Sequence, residues 1–228
     1  MIASWIATFH GAHFVGLACS FMFFLTGLRQ VHNAFHSALG LPRFATQSVM
    51  FILSILMLGS MHAVQVCHLR HHRYCMKAED VEAMSACMPW WQAILIGPFF
   101  PLRLHWTAIT LGSQRQRGWI VAELVGNVAW VTLVLGALDL PWLKFHVLAM
   151  ALGQCLTAFF AVWTVHHDCE RGSHVARTMR GGLKTFLTYS MFFHNEHHLF
   201  PAVPTCRLKL LAKRLDAAAP ELTSCRVF

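Results

Sequence analysis

The histidines of this chain come in three compact groups separated by long apolar runs. They are His32 and His36 in HNAFH, His68, His71 and His72 in HLRHH, and His194, His197 and His198 in HNEHH. Within each group the spacing suits a helix, where residues three and four apart are neighbours on one face. Imidazole binds Fe, Zn, Cu and Ni, and eight such ligands are too many for one tetrahedral site. Two metal ions sharing the set is the economical arrangement. This constrains the fold, because all three groups must reach the same place whatever lies between them.

The intervening chain is apolar. Hydrophobic residues make up 56% of the 228 and charged residues 12%, against about 25% charged in a soluble domain. The composition predicts an all-α integral membrane protein, with a few transmembrane helices plus interfacial helices, as a single domain over 1–228. The net charge is +8, but the basic residues cluster at the ends of apolar runs. That is the positive-inside pattern and argues against a nucleic-acid partner. The N-terminus, MIASWIATFH, lacks the basic stretch of a cleaved signal peptide. Eight cysteines occur without a CxxC pair. Cys67, Cys75, Cys87, Cys169 and Cys206 fall near the histidine groups or basic loops, so they are expected in a reducing cytosol. They read as small apolar side chains, with a thiolate metal ligand left open.

The shared site also constrains topology. Residues 3–28 are long enough for one span, which would put the N-terminus on the extracytoplasmic side. The run 47–66 joins the first histidine group to the second, so it cannot be a single crossing. It is expected to be re-entrant, a short hairpin or interfacial, with breaks near Gly40, Pro42 and Gly59. Pro89, Pro98 and Pro101, with Trp90 and Trp91, make the next apolar segment interfacial. Residues 120–138 and 142–165 form a hairpin that returns the chain to the side it left, beside the other groups. Fourteen Arg and Lys residues, from Arg29 through Arg171 and Arg180 to Lys209, then lie on the histidine side, and only Lys144 on the other. Charge and metal geometry agree on a cytosolic site.

The pattern HxxxH, HxxHH, HxxHH resembles the membrane fatty acid desaturase superfamily, which includes hydroxylases and carotenoid ketolases. The third group continues LFPAVPTCRL, and its His-His-Leu-(aromatic)-Pro-x-Val-Pro run is specific to that superfamily. VHHDCE and ARTMRG upstream are similar as well, and the resemblance covers about 30–211. It implies two iron ions that activate O2, in either a bacterial inner membrane or an ER-type membrane. It also implies a ninth histidine ligand at the end of the last span, His166 or, as the rival, His167. Adjacent helical residues point about 100° apart, so only one of the two can serve. Metal-bound histidines usually donate their other N–H to a carboxylate or carbonyl. Asn33, Asp80, Asp168 and Glu196 are candidates for that supporting position, and Asn33 stands where many relatives carry an acid. No fused electron-carrier domain is evident, so an external donor is expected, namely a ferredoxin, rubredoxin or cytochrome b5-like carrier docking on the basic face.

Three activities are compatible with this pattern. The first is O2-dependent, di-iron desaturation of a lipid acyl chain. The second is hydroxylation or ketolation of an acyl lipid or carotenoid by the same ligands. The third is zinc-dependent membrane hydrolysis, which needs only three histidines and a water. Non-enzymatic metal binding or transport is a further reading, and the sparse charge within the spans argues against it.

Overall fold

The computed structural model describes residues 1–169, 175–179 and 182–223, with side chains through 221. Arg171 and Arg180 lie outside the described residues. The described chain is helical, with one isolated antiparallel bridge, Thr178 to Phe193. Three helices are long and apolar enough to cross a membrane, His13–Phe35, Gln114–Ala137 and Pro141–His166, and a bent pair makes a possible fourth. Large apolar side chains stand exposed along them, among them Phe14, Phe21, Val121, Val125, Val128, Leu148 and Leu152. Apolar side chains exposed along helices of spanning length suit a lipid environment. The protein is an all-α membrane protein.

The N-terminal run is not one span. α1 (Ile2–Phe9) ends at His10, and α2 (His13–Phe35) begins after Gly11, whose φ of 78° reverses the chain. α1 folds back on α2, with Ser4 Oγ 2.7 Å from Ser20 Oγ. Both segments are apolar, so hydropathy merges them, and the single glycine that separates them adopts a conformation L-residues disfavour. With α1 and α2 separate, residues 3–28 are not a single crossing and do not put the N-terminus opposite the histidines.

The link between the first two histidine groups is a bent pair, as topology required. α3 (Arg43–Met57) and α4 (Met61–Tyr74) meet at 110°. Leu58 takes a left-handed conformation at the corner, and Ser60 caps α4 by accepting from the Ala63 N–H at 3.1 Å. A buried polar knot locks the corner. Glu123, fully buried on α7 (Gln114–Thr132), accepts from Ser60 Oγ at 2.5 Å, from the His62 backbone N–H at 3.1 Å and from His62 Nδ1 at 2.6 Å. His62 Nε2 lies 2.7 Å from Gln47 Oε1, and its ring stacks on Trp119. The Ser60 N–H donates to His105 Nε2 at 2.9 Å, and His105 Nδ1 donates to the Pro101 carbonyl at 2.6 Å. Each of these partners removes a desolvation penalty that an apolar interior would otherwise impose.

The Pro-broken segment forms two short helices, α5 (Trp90–Leu95) and α6 (Phe100–Leu111), with Trp90, Trp91, Phe99 and Trp106 exposed. α7 opens with a capping box, Ser113 and Gln116, and runs on through a π-helical turn at Leu133–Ala137. The expected hairpin comes next. α8 (Pro141–Thr157) returns antiparallel, passes through a second π-helical stretch at Ala158–Trp163 and ends in the short α9 (Thr164–His166). Lys144 pairs with Asp139 at the turn, at the opposite end of this rod from His166. α10 (Gly182–Leu187), α11 (His194–Leu199) and α12 (Leu208–Ala218) complete the described chain.

Candidate metal centre

Four elements deliver the histidines. α2 carries His32 in its last turn and is followed by His36, α4 carries His68, His71 and His72, α9 ends in His166, and α11 carries His194, His197 and His198. All nine rings lie in one cluster. They divide by contact between Nε2 atoms. On one side His36 meets His68 at 3.0 Å, His68 meets His72 at 3.2 Å and His72 meets His197 at 3.0 Å. His32 joins this side, its ring centroid 4.1 Å from that of His197. On the other side four Nε2 atoms close a ring: His71 to His166 at 3.1 Å, His166 to His194 at 3.0 Å, His194 to His198 at 3.3 Å and His198 back to His71 at 3.2 Å. The His72 and His198 rings stack at 4.3 Å where the two sides abut.

The grouping cuts across the sequence motifs. Residues four apart stay together (His32 with His36, His68 with His72, His194 with His198), while His71 and His197 each cross to the other side. An α-helix turns about 100° per residue, so His71 and His72 cannot aim at one point.

The chemistry of this donor set fits metal ions. His71 Nδ1 lies 2.8 Å from Asp80 Oδ2 and His166 Nδ1 lies 2.8 Å from the Val175 carbonyl, so both rings turn Nε2 inward. In the neutral form each of those Nε2 atoms is a lone pair, and the two face each other. His32 Nε2 is buried with no hydrogen-bond partner. Burial, then the neighbouring imidazoles, hold His194 and His198 well below the usual imidazole range, and burial brings His36 down to about 4. Neutral imidazole is the ligating form. Ligands about 2.0–2.1 Å from an ion at right angles sit about 3 Å apart, which is the spacing seen.

Supporting residues divide as well. Asp80 holds His71 and also accepts from the Met76 and Ala83 N–H groups. Burial alone would raise its carboxyl, but the hydrogen bond and charge of His71, with the two backbone donors, bring it below its ordinary value. Glu82, not singled out in the sequence, places Oε1 2.9 Å from His68 Nδ1, and burial pushes its carboxyl up to about 7. Its position, two residues after Asp80 in the polar stretch beyond the second motif, was the available signal.

The remaining candidates have other partners among the described residues. Glu196 accepts from Thr178 Oγ1 at 2.7 Å. Asn33 pairs reciprocally with Thr205, whose hydroxyl also accepts from Arg29, and so ties the first motif to the segment after the third. Asp168 is largely exposed and sits 3.5 Å from Arg177. His167 stacks on Trp163 and bonds that residue's own carbonyl, away from the cluster that His166 enters. The segment 175–179 pins these parts together. The Arg177 N–H reaches the Val165 carbonyl, and the Asn195 N–H reaches the Arg177 carbonyl.

An apolar cavity ends against the cluster. Val31, Phe35, Met61, Val64, Leu104 and Val165 line it, with His32, His68, Glu82 and His194 at its polar end. A second apolar groove between α2 and α8 shares Leu28, Thr157, Met191 and Phe192 with it.

A family model described as Fatty acid desaturase matches residues 4–227. A beta-carotene ketolase from Paracoccus sp. (strain N81106 / MBIC 01143) is 27% identical over 196 residues, covering 82% of this chain and 74% of the ketolase. No solved structure matches. With the family match running nearly end to end and its histidines gathered at one place, the chain belongs to the fatty acid desaturase family, an oxidoreductase family.

Proposed function

We propose that this protein is a di-iron, O2-dependent oxidoreductase that desaturates a lipid acyl chain, working as one membrane-embedded unit over 1–228. The observation that carries this reading is the pair of Nε2 groups, five imidazoles beside four, at the end of an apolar cavity. His32, His36, His68, His72 and His197 would hold one ion, and His71, His166, His194 and His198 the other. Bound there, iron supplies what no side chain can, removal of hydrogen from an unactivated C–H bond using dioxygen. Desaturation balances as RCH2CH2R + O2 + 2e− + 2H+ → RCH=CHR + 2H2O, so an external one-electron carrier of the ferredoxin, rubredoxin or cytochrome b5 kind is required.

The chain's own part is positioning. Val31, Phe35, Val64 and Leu104 bind methylenes and exclude water. Asp80 and the Val175 carbonyl orient His71 and His166, and Glu82 orients His68. The cluster faces the cytosol on this reading. Arg29, Arg43, Arg70 and Arg73 lie at its end of the bundle and Lys144 at the other, in keeping with the positive-inside bias.

A second reading, ketolation or hydroxylation of an apolar chain such as a carotenoid, draws its support from the ketolase match. Metal analysis of detergent-purified protein, then product mass, separates the possibilities. About two irons per chain and a product lighter by two hydrogens supports desaturation. A gain of one oxygen, or an oxygen replacing two hydrogens, moves the second reading forward. One zinc and no iron ends both.

A further inference from the structure

The two sides of the cluster are unequal, with five imidazoles on one and four on the other. Beside the four stands a donor that the histidine motifs do not include. The Cys75 sulfur and one nitrogen each of His71, His166 and His198 all lie within 4.8 Å of one another. Cys75 comes directly after α4, four residues beyond His71, so the spacing that pairs His68 with His72 also brings Cys75 to the side His71 serves. The thiol is free and half-buried. Its hydrogen bond is a long one, 3.9 Å to the Val175 carbonyl, the same carbonyl that holds His166 Nδ1 at 2.8 Å.

We propose that Cys75, as a thiolate, is the fifth ligand at the four-histidine position, making the two sites equal in ligand number and unequal in charge. This rests on the two-metal reading above. A coordinating thiol is deprotonated outright by its metal ion. The S–H bond breaks, the sulfur–metal bond forms with the sulfur electron pair, and the proton leaves to water with no change of oxidation state. The four-histidine ion then carries one anionic ligand while its neighbour carries only neutral imidazoles. A soft, anionic donor on one ion alone makes the two ions chemically distinct.

The test uses the full chain in detergent, loaded with Co(II) and assayed for metal content. The wild type is expected to hold two cobalt ions and to show a sulfur-to-cobalt charge-transfer band in the near ultraviolet. Cys75→Ser and Cys75→Ala are expected to lose that band while holding two ions at saturating metal. Iron-loaded wild type is expected to show a sulfur scatterer at about 2.3 Å by X-ray absorption, the length of a metal–thiolate bond. Two ions without a sulfur signal in the wild type overturns the assignment and leaves the two-metal reading intact. A band that survives Cys75→Ala overturns it too. Fewer than two ions in the wild type overturns the two-metal reading itself, and this assignment with it. Should the variants fail to fold, iodoacetamide labelling of the wild type decides. Cys75 protected in the loaded protein and alkylated after chelation supports the ligand role, and equal labelling in both states removes it.

Discussion

His62 and His71 stand nine residues apart on α4, and each points Nδ1 at a buried carboxylate, Glu123 at 2.6 Å and Asp80 at 2.8 Å. Their second nitrogens differ. His62 Nε2 meets the Gln47 amide, and around it Ser60, Glu123 and His105 find partners in turn. The hydrogen-bond-range neighbours of His71 Nε2 among the described residues are imidazoles, His166 and His198. The first region is closed, with its donors and acceptors matched within the protein. The second is open, its nitrogens collected at a point where they can serve only something that accepts lone pairs. Burial and a carboxylate partner are common to both, so neither distinguishes a ligand from a structural histidine. What the second nitrogen faces does.

The largest expected effect breaks the comparison outright. His71→Ala should drop bound iron well below two per chain and abolish product, whereas His62→Ala should leave metal content near two in the protein that folds. Equal metal loss in both would erase the distinction. Next in size, Glu123→Leu strands Ser60 and His62 without their acceptor. Breaking a buried pair of this kind costs about 3–5 kcal/mol, to be read as a lower unfolding midpoint, with metal per folded chain unchanged. Asp80→Asn and Glu82→Gln probe the open region from behind its proposed ligands. Loss of such support weakens metal affinity about 10–100-fold, measured by competition with a chelator. An affinity unchanged in both variants would show that the carboxylates do not orient His71 and His68. The smallest effect is Thr205→Val, which removes the hydroxyl shared by Arg29 and Asn33. It should cost about 1 kcal/mol of stability and leave metal content alone, since Asn33 contacts no imidazole.

The three motifs and the all-α membrane architecture were legible because they rest on local rules, helical spacing and hydropathy. The same rules stopped short in identifiable places. Hydropathy could not see the reversal at Gly11, because the chain is apolar on both sides of it. Treating each motif as one face hid the crossing of His71 and His197, although the 100° step that separates His166 from His167 separates His71 from His72 as well. The π-helical stretch Ala158–Trp163 left no mark in the sequence, yet it sets the phase of the helical turn that carries His166. Each residue inserted in a turn rotates the remainder of the helix by about 100°. Glu82 and Asn33 act through partners 14 and 172 residues away in the chain. Glu82 lies just beyond its motif and was reachable from there, whereas Asn33 lies within its motif and was named, but its partner Thr205 is too distant in the chain to be read.

The crossing of His71 and His197 has a consequence for how the centre fills. On the two-ion reading, α4 and α11 each contribute to both ions, so the first ion to arrive orders the two helices that the second one needs. The ordering entropy is then spent largely on the first event, and uptake is cooperative. Chelation should therefore strip the pair together, and a chain carrying a single ion should be scarce at every metal concentration.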